Sequence, residues 1–215
     1  PPKGQAGDTI PFLKAFELLK ETSFAVFFGV SFVITIVLAF YYGFTGIWLE
    51  KKIGVQDVAS TMTIGQWSEM IILPFLPWFL LHLGMKWVLV VGMAAWGIRY
   101  ALFAMAQPRK VKVFGLTFDP IILTLVLHGV CFDFFFAAGF IHVDNTAPKD
   151  IKASGQALFA FLTYGLGMWI GNVASGFVAE RFTDPKTGVT DWRKFWIVPC
   201  VGVFLSLAVF VAFFR

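Results

Sequence analysis

Charged side chains are scarce in this sequence: they make up 14% of its 215 residues, against about 25% in a soluble globular domain. Apolar residues take their place, at 58% with a mean hydropathy of +0.78. The scarcity excludes a soluble globular domain, and so much apolar surface at a net charge of only +4 excludes a disordered chain. Cysteine is nearly missing. Cys131 and Cys200 both sit inside apolar runs, so neither a disulfide framework nor a thiolate metal site is expected and both read as small packing residues. His82, His128 and His142 share no ligand spacing, so no metal and no other cofactor is expected. A pI of about 9.1 would suggest nucleic acid in a soluble protein. Here Lys and Arg cluster between apolar runs, where anionic lipid headgroups are the expected partners and nucleic acid is not.

What is present is a series of long apolar stretches, near 23–49, 60–81, 87–106, 120–142, 154–179 and 195–214. Each is close to the roughly 20 residues that cross about 30 Å of hydrocarbon. Continuous apolar runs of this length are helical rather than alternating, and helices satisfy their own backbone in lipid. The expected fold is therefore all-α, a multi-pass membrane protein with six transmembrane helices over 23–215. Residues 1–22 are expected to be a linker and an interfacial helix. Pro1 to Gly7 reads as linker rather than signal peptide, with the first residue as a cut point. Asp8-Thr9 ahead of Pro11 is a helix start, with Phe12, Phe16 and Leu19 on one face and Lys14, Glu17 and Glu21 on the other. With the amino terminus inside, Lys3, Lys14, Lys20, Lys86, Lys149, Lys152 and Arg215 face the cytoplasm. Lys51, Lys52, Arg109, Lys110, Lys112, Arg181, Lys186, Arg193 and Lys194 then lie outside, so the positive-inside rule does not decide the orientation.

Three ionisable residues fall well inside the runs: Glu69 in the second, Arg99 in the third and Asp133 in the fourth. A charge at a bilayer centre costs about 2.5–3.5 kcal/mol on insertion scales, so the default reading is a functional site facing a polar cavity. A structural pair, with Arg99 neutralising one acid, is the other reading. Gln66 precedes Glu69 by one helical turn, so the two share a face and can bind a polyhydroxylated solute together. His128 and Phe132 are likewise one turn apart, and Asp133 adjoins Phe132, which sets a ring for stacking beside a carboxylate. Carboxylates inside a membrane commonly serve as proton relays, which makes Glu69 and Asp133 the proton-coupling candidates. Tyr41 and Tyr42, beside Gly43 and Gly46, read equally as cavity residues or as lipid-facing ones. Gly167 and Gly171 form a small-xxx-small step, extended by Ala174 and Gly176, that suits close helix packing.

Asp184-Pro185-Lys186-Thr187-Gly188 is similar to the phosphorylated Asp-Lys-Thr-Gly motif of ion-pumping ATPases, but a proline interrupts it. No Gly-x-x-x-x-Gly-Lys-Ser/Thr loop occurs either, so ATP is not the expected source of energy.

Ile64-Gly65-Gln66-Trp67-Ser68-Glu69 in the second run and His128-Gly129-Val130-Cys131-Phe132-Asp133-Phe134-Phe135 in the fourth resemble the nucleoside:proton symporters of the major facilitator superfamily. Val143 to Pro148 and Ala153 to Leu158 are similar to the loop and helix that follow in those proteins. The resemblance covers nearly the whole chain, as the carboxy-terminal six-helix half of a twelve-helix carrier. It implies a major facilitator half-bundle in the inner or plasma membrane, with an amino-terminal half, a nucleoside and protons as partners. It also implies that Gln66, Glu69, Phe132 and Asp133 bind the nucleoside, with His128 in place of a family tyrosine; Tyr42 joins the expected solute-binding residues from its own position beside Gly43 and Gly46. The family's side-chain amides in the first run of this half have no counterpart between Ser23 and Leu49. Lys86, after Leu83-Gly84, matches the superfamily's basic cytoplasmic loop and implies an amino terminus inside.

Three classes of function are thus expected in descending order. The first is half of a proton-coupled secondary transporter for nucleosides, with a sugar or oligosaccharide symporter as its variant. The second is a six-helix membrane subunit whose buried charges only pair. The last is a membrane enzyme using Glu69, Asp133 and His128 as acid and base, for which no nucleophile motif exists, so no enzyme is expected.

Overall fold

The bilayer offers no partner to a free backbone N–H or C=O, so an apolar run that enters it folds as helix. In the computed structural model, which describes residues 14–113 and 116–215, helices occupy every apolar run. The first, α1, spans Thr22–Ile53 and closes in a π-helical turn over Leu49–Ile53 that stops at Gly54. The next helical stretch, Val58–Met105, has 48 residues. At 1.5 Å per residue it would reach about 72 Å if straight, more than twice the hydrocarbon thickness. It turns back instead at Gly84, whose φ of +75° is a conformation that side chains with a Cβ rarely adopt. Residues 58–83 form α2 and residues 85–105 form α3. The remaining helices are α4, Pro120–Thr146, α5, Lys152–Arg181, and α6, Trp192–Phe213. A short antiparallel pair, β1 Val111–Val113 with β2 Leu116–Phe118, joins α3 to α4. Among the described residues, five continuous helical stretches, one of them turned back at Gly84, supply six membrane-spanning helices.

The expected surface helix falls partly on residues 8–13, which lie outside the described residues. Its described part is a 3₁₀ turn, Ala15–Lys20, that buries Ala15 and Leu18 and leaves Phe16 exposed. The buried pair, three residues apart as a 3₁₀ turn stacks them, is Ala15 and Leu18 rather than the expected Phe16 and Leu19.

Packing places α3 against α4 and α6, α1 against α5 and α6, and α2 against α4. Gly171 lets α5 approach α1 closely: a Cβ there would lie 2.6 Å from Ala39 Cβ and from the Ile36 carbonyl oxygen. Gly167 meets Thr35 in the same interface, whereas Gly176 meets nothing within 4 Å and is not part of the packing step expected of it. At one end of α1, α3 and α6 the core is aromatic. Trp48 lies 4.4 Å from Phe103 and Tyr100 stacks on Trp196 at 5.7 Å, while the Tyr100 hydroxyl donates to the Val37 carbonyl at 2.9 Å. Such rings add about 0.5–1.5 kcal/mol per pair beyond their area.

Helix ends are tied by polar groups outside the hydrocarbon. Asp57 Oδ1 accepts from the Ser60 amide at the start of α2, and Asp191 Oδ1 from the Lys194 amide at the start of α6. At the other end of α6, Lys86 Nζ donates to the Phe214 carbonyl at 2.5 Å, a cation set at a carbonyl-rich terminus. The Asp184–Gly188 segment is a tight turn, in which Asp184 Oδ1 accepts from the Lys186 amide and the Asp184 carbonyl from the Gly188 amide, both at 2.8 Å. Its role is to connect α5 to α6.

Candidate solute and proton site

α4 crosses α2 at a glycine, Gly129, set against the backbone of Ser68. A Cβ on Gly129 would stand 2.6 Å from the Ser68 carbonyl carbon and oxygen, so glycine is what permits the contact. Ser68 Oγ accepts from the Gly129 amide at 2.8 Å and donates to the Gly65 carbonyl at 2.6 Å, which fixes the crossing with two satisfied bonds. Gly65 opposite leaves room for the His128 ring, which a Cβ would meet at 3.2 Å.

That crossing brings Glu69 to His128, with Oε1 at 2.8 Å from Nε2. The approach is close but off the hydrogen-bond line, because Nε2 has no aligned partner. On the other side of the ring, Arg99 from α3 places NH1 2.9 Å from Nδ1. Arg99 is fully buried, with its guanidinium carbon 4.1 Å from the ring centroids of both Tyr41 and Trp96. Cation–π contacts of this kind are worth up to about 2 kcal/mol when desolvated. Tyr41 also stacks on His128 at 4.8 Å, and Trp96 Nε1 donates to the Cys131 carbonyl at 3.1 Å. Arg99, His128 and Glu69 thus form a line from the interior of the bundle to its face.

The sequence-selected residues divide by exposure. Glu69 keeps 26% of its side chain open, Tyr42 is 45% exposed and Gln66 is exposed one turn before Glu69. Phe132 is half-buried, 5.8 Å from His128 and 5.3 Å from Phe136. His128 is fully buried, so in this conformation it offers no surface to a solute. Asp133 is 2% exposed, opens a π-helical turn over Asp133–Ala137 and leaves Oδ2 without a hydrogen-bond partner among the described residues. It lies within electrostatic reach of Glu69.

Several members went unrecognised in the sequence. Tyr164, on the π-helical turn Phe161–Gly167 of α5, is 41% exposed and within electrostatic reach of Tyr42 and Glu69. Asn172 points its Oδ1 toward Gly43 of α1. A polar side chain in the middle of an apolar run was the available signal for both.

Carboxylates, an amide, phenols and rings inside a bilayer, on helices that pack as a half-bundle, belong to a recognisable group. Residues 1–215 match the family described as Nucleoside H+ symporter. The chain belongs to that family. It is 32% identical to the nucleoside permease NupG of Escherichia coli over 221 residues, 98% of this chain and 51% of that protein. It is 30% identical to the xanthosine permease of Escherichia coli over 210 residues, 94% of this chain and 48% of that protein. The crystal structure of the nucleoside transporter NupG superimposes with a TM-score of 0.79 at 29% identity, covering 100% of this chain and 53% of that one. A mutant of the same transporter gives 0.83 at 30%, covering 99% and 54%. This chain therefore spans about half the length of the relatives it matches. It is a multi-pass membrane protein with the fold of a major facilitator half-bundle, and its family is one of transporters rather than enzymes.

Proposed function

We propose that these six helices are half of a cell-membrane carrier that joins a second six-helix half and moves nucleosides together with protons. Glu69 carries the reading: a partly open carboxylate within a membrane-spanning helix, on the face where Gln66 and Tyr42 also open. The name of the family supports the solute class, and so do the names of its relatives.

The chemistry of a nucleoside suits this face. Ribose hydroxyls donate to a carboxylate, which Glu69 supplies, and the Gln66 amide both donates and accepts. Phe132 offers a half-buried ring against which a base can stack, and Tyr42 a hydroxyl at the rim. Asp133 is the second acid, behind this surface. Arg99 offsets one of the two carboxylates, and a single proton offsets the other. Loading the proton therefore removes a buried charge, and differential binding of proton and solute to two states is what couples their movement. A sugar would use the same hydroxyl chemistry but gives Phe132 no base to stack on. In this reading residues 23–215 form the transmembrane domain in contact with lipid, the solute and the other half.

Uptake of labelled uridine by cells expressing the full-length carrier tests the proposal, with and without a protonophore. Uptake should be protonophore-sensitive, and Glu69→Gln should lower it. A hydrogen bond to a charged group is worth about 1.5–3 kcal/mol, so the loss should be about 10-fold to 100-fold. Protonophore-sensitive uptake that is unchanged in Glu69→Gln would remove Glu69 from the site.

A further inference from the structure

We propose that His128 is a positioning residue, held by Arg99 at Nδ1 so that Nε2 is the protonated nitrogen beside Glu69, where the fixed ring confines that carboxylate to the side open to the solute. The inference rests on the carrier reading of Glu69. A guanidinium has N–H donors and no acceptor. Its 2.9 Å approach to Nδ1 therefore requires the lone pair of a ring that is unprotonated there. The ring proton is then on Nε2, the atom 2.8 Å from Glu69 Oε1.

The ring has no freedom to reverse this assignment. It is fully buried, stacked on Tyr41 and flanked edge-on by Trp96 at 6.1 Å, with Gly65 against its remaining side. Arg99 is equally confined between Tyr41 and Trp96, and its Nε and NH2 lack hydrogen-bond partners among the described residues. His128 thus supplies the hydrogen bond found for the guanidinium. A neutral ring between a cation and a carboxylate keeps the two apart, bonded to the first and in contact with the second, and the Ser68–Gly129 bond holds α2 and α4 in the register this needs. Proton exchange at His128 would require Arg99 to withdraw, so the ring positions Glu69 and does not itself carry the coupled proton.

Nitrogen NMR of the purified full-length carrier with ¹⁵N-labelled histidine, assigned by loss of the signal in His128→Gln, reads the ring directly. The expected result is a neutral ring protonated on Nε2. A doubly protonated ring, or a neutral one protonated on Nδ1, would overturn the proposal. Uridine uptake supplies the functional arm. His128→Phe keeps the stacking ring but removes both nitrogens, and should raise KM about tenfold with little change in the maximal rate. His128→Gln carries one acceptor and one donor across a similar gap and should restore KM to within about threefold of the parent. Equal damage from the two, at equal membrane abundance, would mean that a donor and an acceptor at this position do not restore Glu69, and would overturn the positioning role. Loss of uptake in Glu69→Gln beside an unchanged KM in His128→Phe would sink the positioning role and leave the carrier reading standing. Unchanged uptake in Glu69→Gln would sink the carrier reading of Glu69, with the NMR result still deciding the ring.

Discussion

α4 carries two histidines that both sit among aromatic rings, and they differ in everything else. His142 lies 4.9 Å from Phe27, 5.3 Å from Phe214 and 5.5 Å from Phe24, and its Nδ1 reaches the Thr146 hydroxyl only at 3.5 Å. Its Nε2 has no hydrogen-bond partner among the described residues. His128 has Tyr41 and Trp96 for rings, but an arginine on one nitrogen and a glutamate beside the other. Burial in rings is common to both, so it marks neither as functional. What distinguishes His128 is that helices α2 and α3 each deliver a charged group to it.

The sharpest way to break this comparison is to separate the helices. Gly129→Ala puts a methyl group into the backbone of α2 at 2.6 Å, and backbone cannot rotate away as a flexible side chain can. Loss of most folded carrier from the membrane is expected, read as monodisperse protein by fluorescence-detected size exclusion. Gly65→Ala should be milder, because its nearest atoms belong to the His128 ring at 3.2 Å. Equal abundance of Gly129→Ala and the parent would show that the crossing is looser than drawn.

His142→Phe sharpens the comparison from the other side. Replacing a polar ring held only by a 3.5 Å contact with the Thr146 hydroxyl by an apolar ring of similar shape is close to neutral or stabilising, since Nε2 leaves no bonded partner behind. Uridine KM should stay unchanged and the melting temperature should hold or rise. A KM shift as large as that of His128→Phe would erase the distinction between the two histidines.

The smallest effect expected is at the surface, away from both. Asp191 caps α6, and its hydrogen bonds from Lys194, side chain and amide, hold its carboxyl below the usual carboxylate range. A depressed folded value stabilises above the ordinary carboxylate pKa of about 3.9 and ceases to do so as pH falls through the folded value. Asp191→Ala should therefore melt slightly lower than the parent at pH 7, and the gap should close in strong acid. A gap that persists there would mean the cap acts through something other than its charge.

Much of the fold was legible because lipid imposes a length. The six apolar runs predict the helices to within a few residues at each end, and the single departure in continuity, Gly84, sits in the gap between the second and third runs. Part of the candidate site's local geometry was legible too. One-turn spacing set His128 beside Phe132, and their rings lie 5.8 Å apart. What spacing cannot carry is contact across helices: nothing in the sequence joins Arg99 to His128, since the crossing at Ser68 and Gly129 creates that pair. Tyr41 and Tyr42 read alike as neighbours, yet one is 1% exposed against the arginine and the other opens outward. Tyr164 escaped for another reason. It rides on a π-helical turn, whose extra residue shifts it away from the face that a regular period assigns.

The reversal at Gly84 also bears on how the protein enters the membrane during synthesis. A turn that short leaves no hydrophilic tether to hold one helix back while the other inserts, so α2 and α3 must pass into the bilayer as a hairpin. Glu69 and Arg99 then cross together, with opposite charges on helices consecutive in the chain, before α4 has been made. Both charges are therefore already in the bilayer when His128, on α4, arrives to come between them.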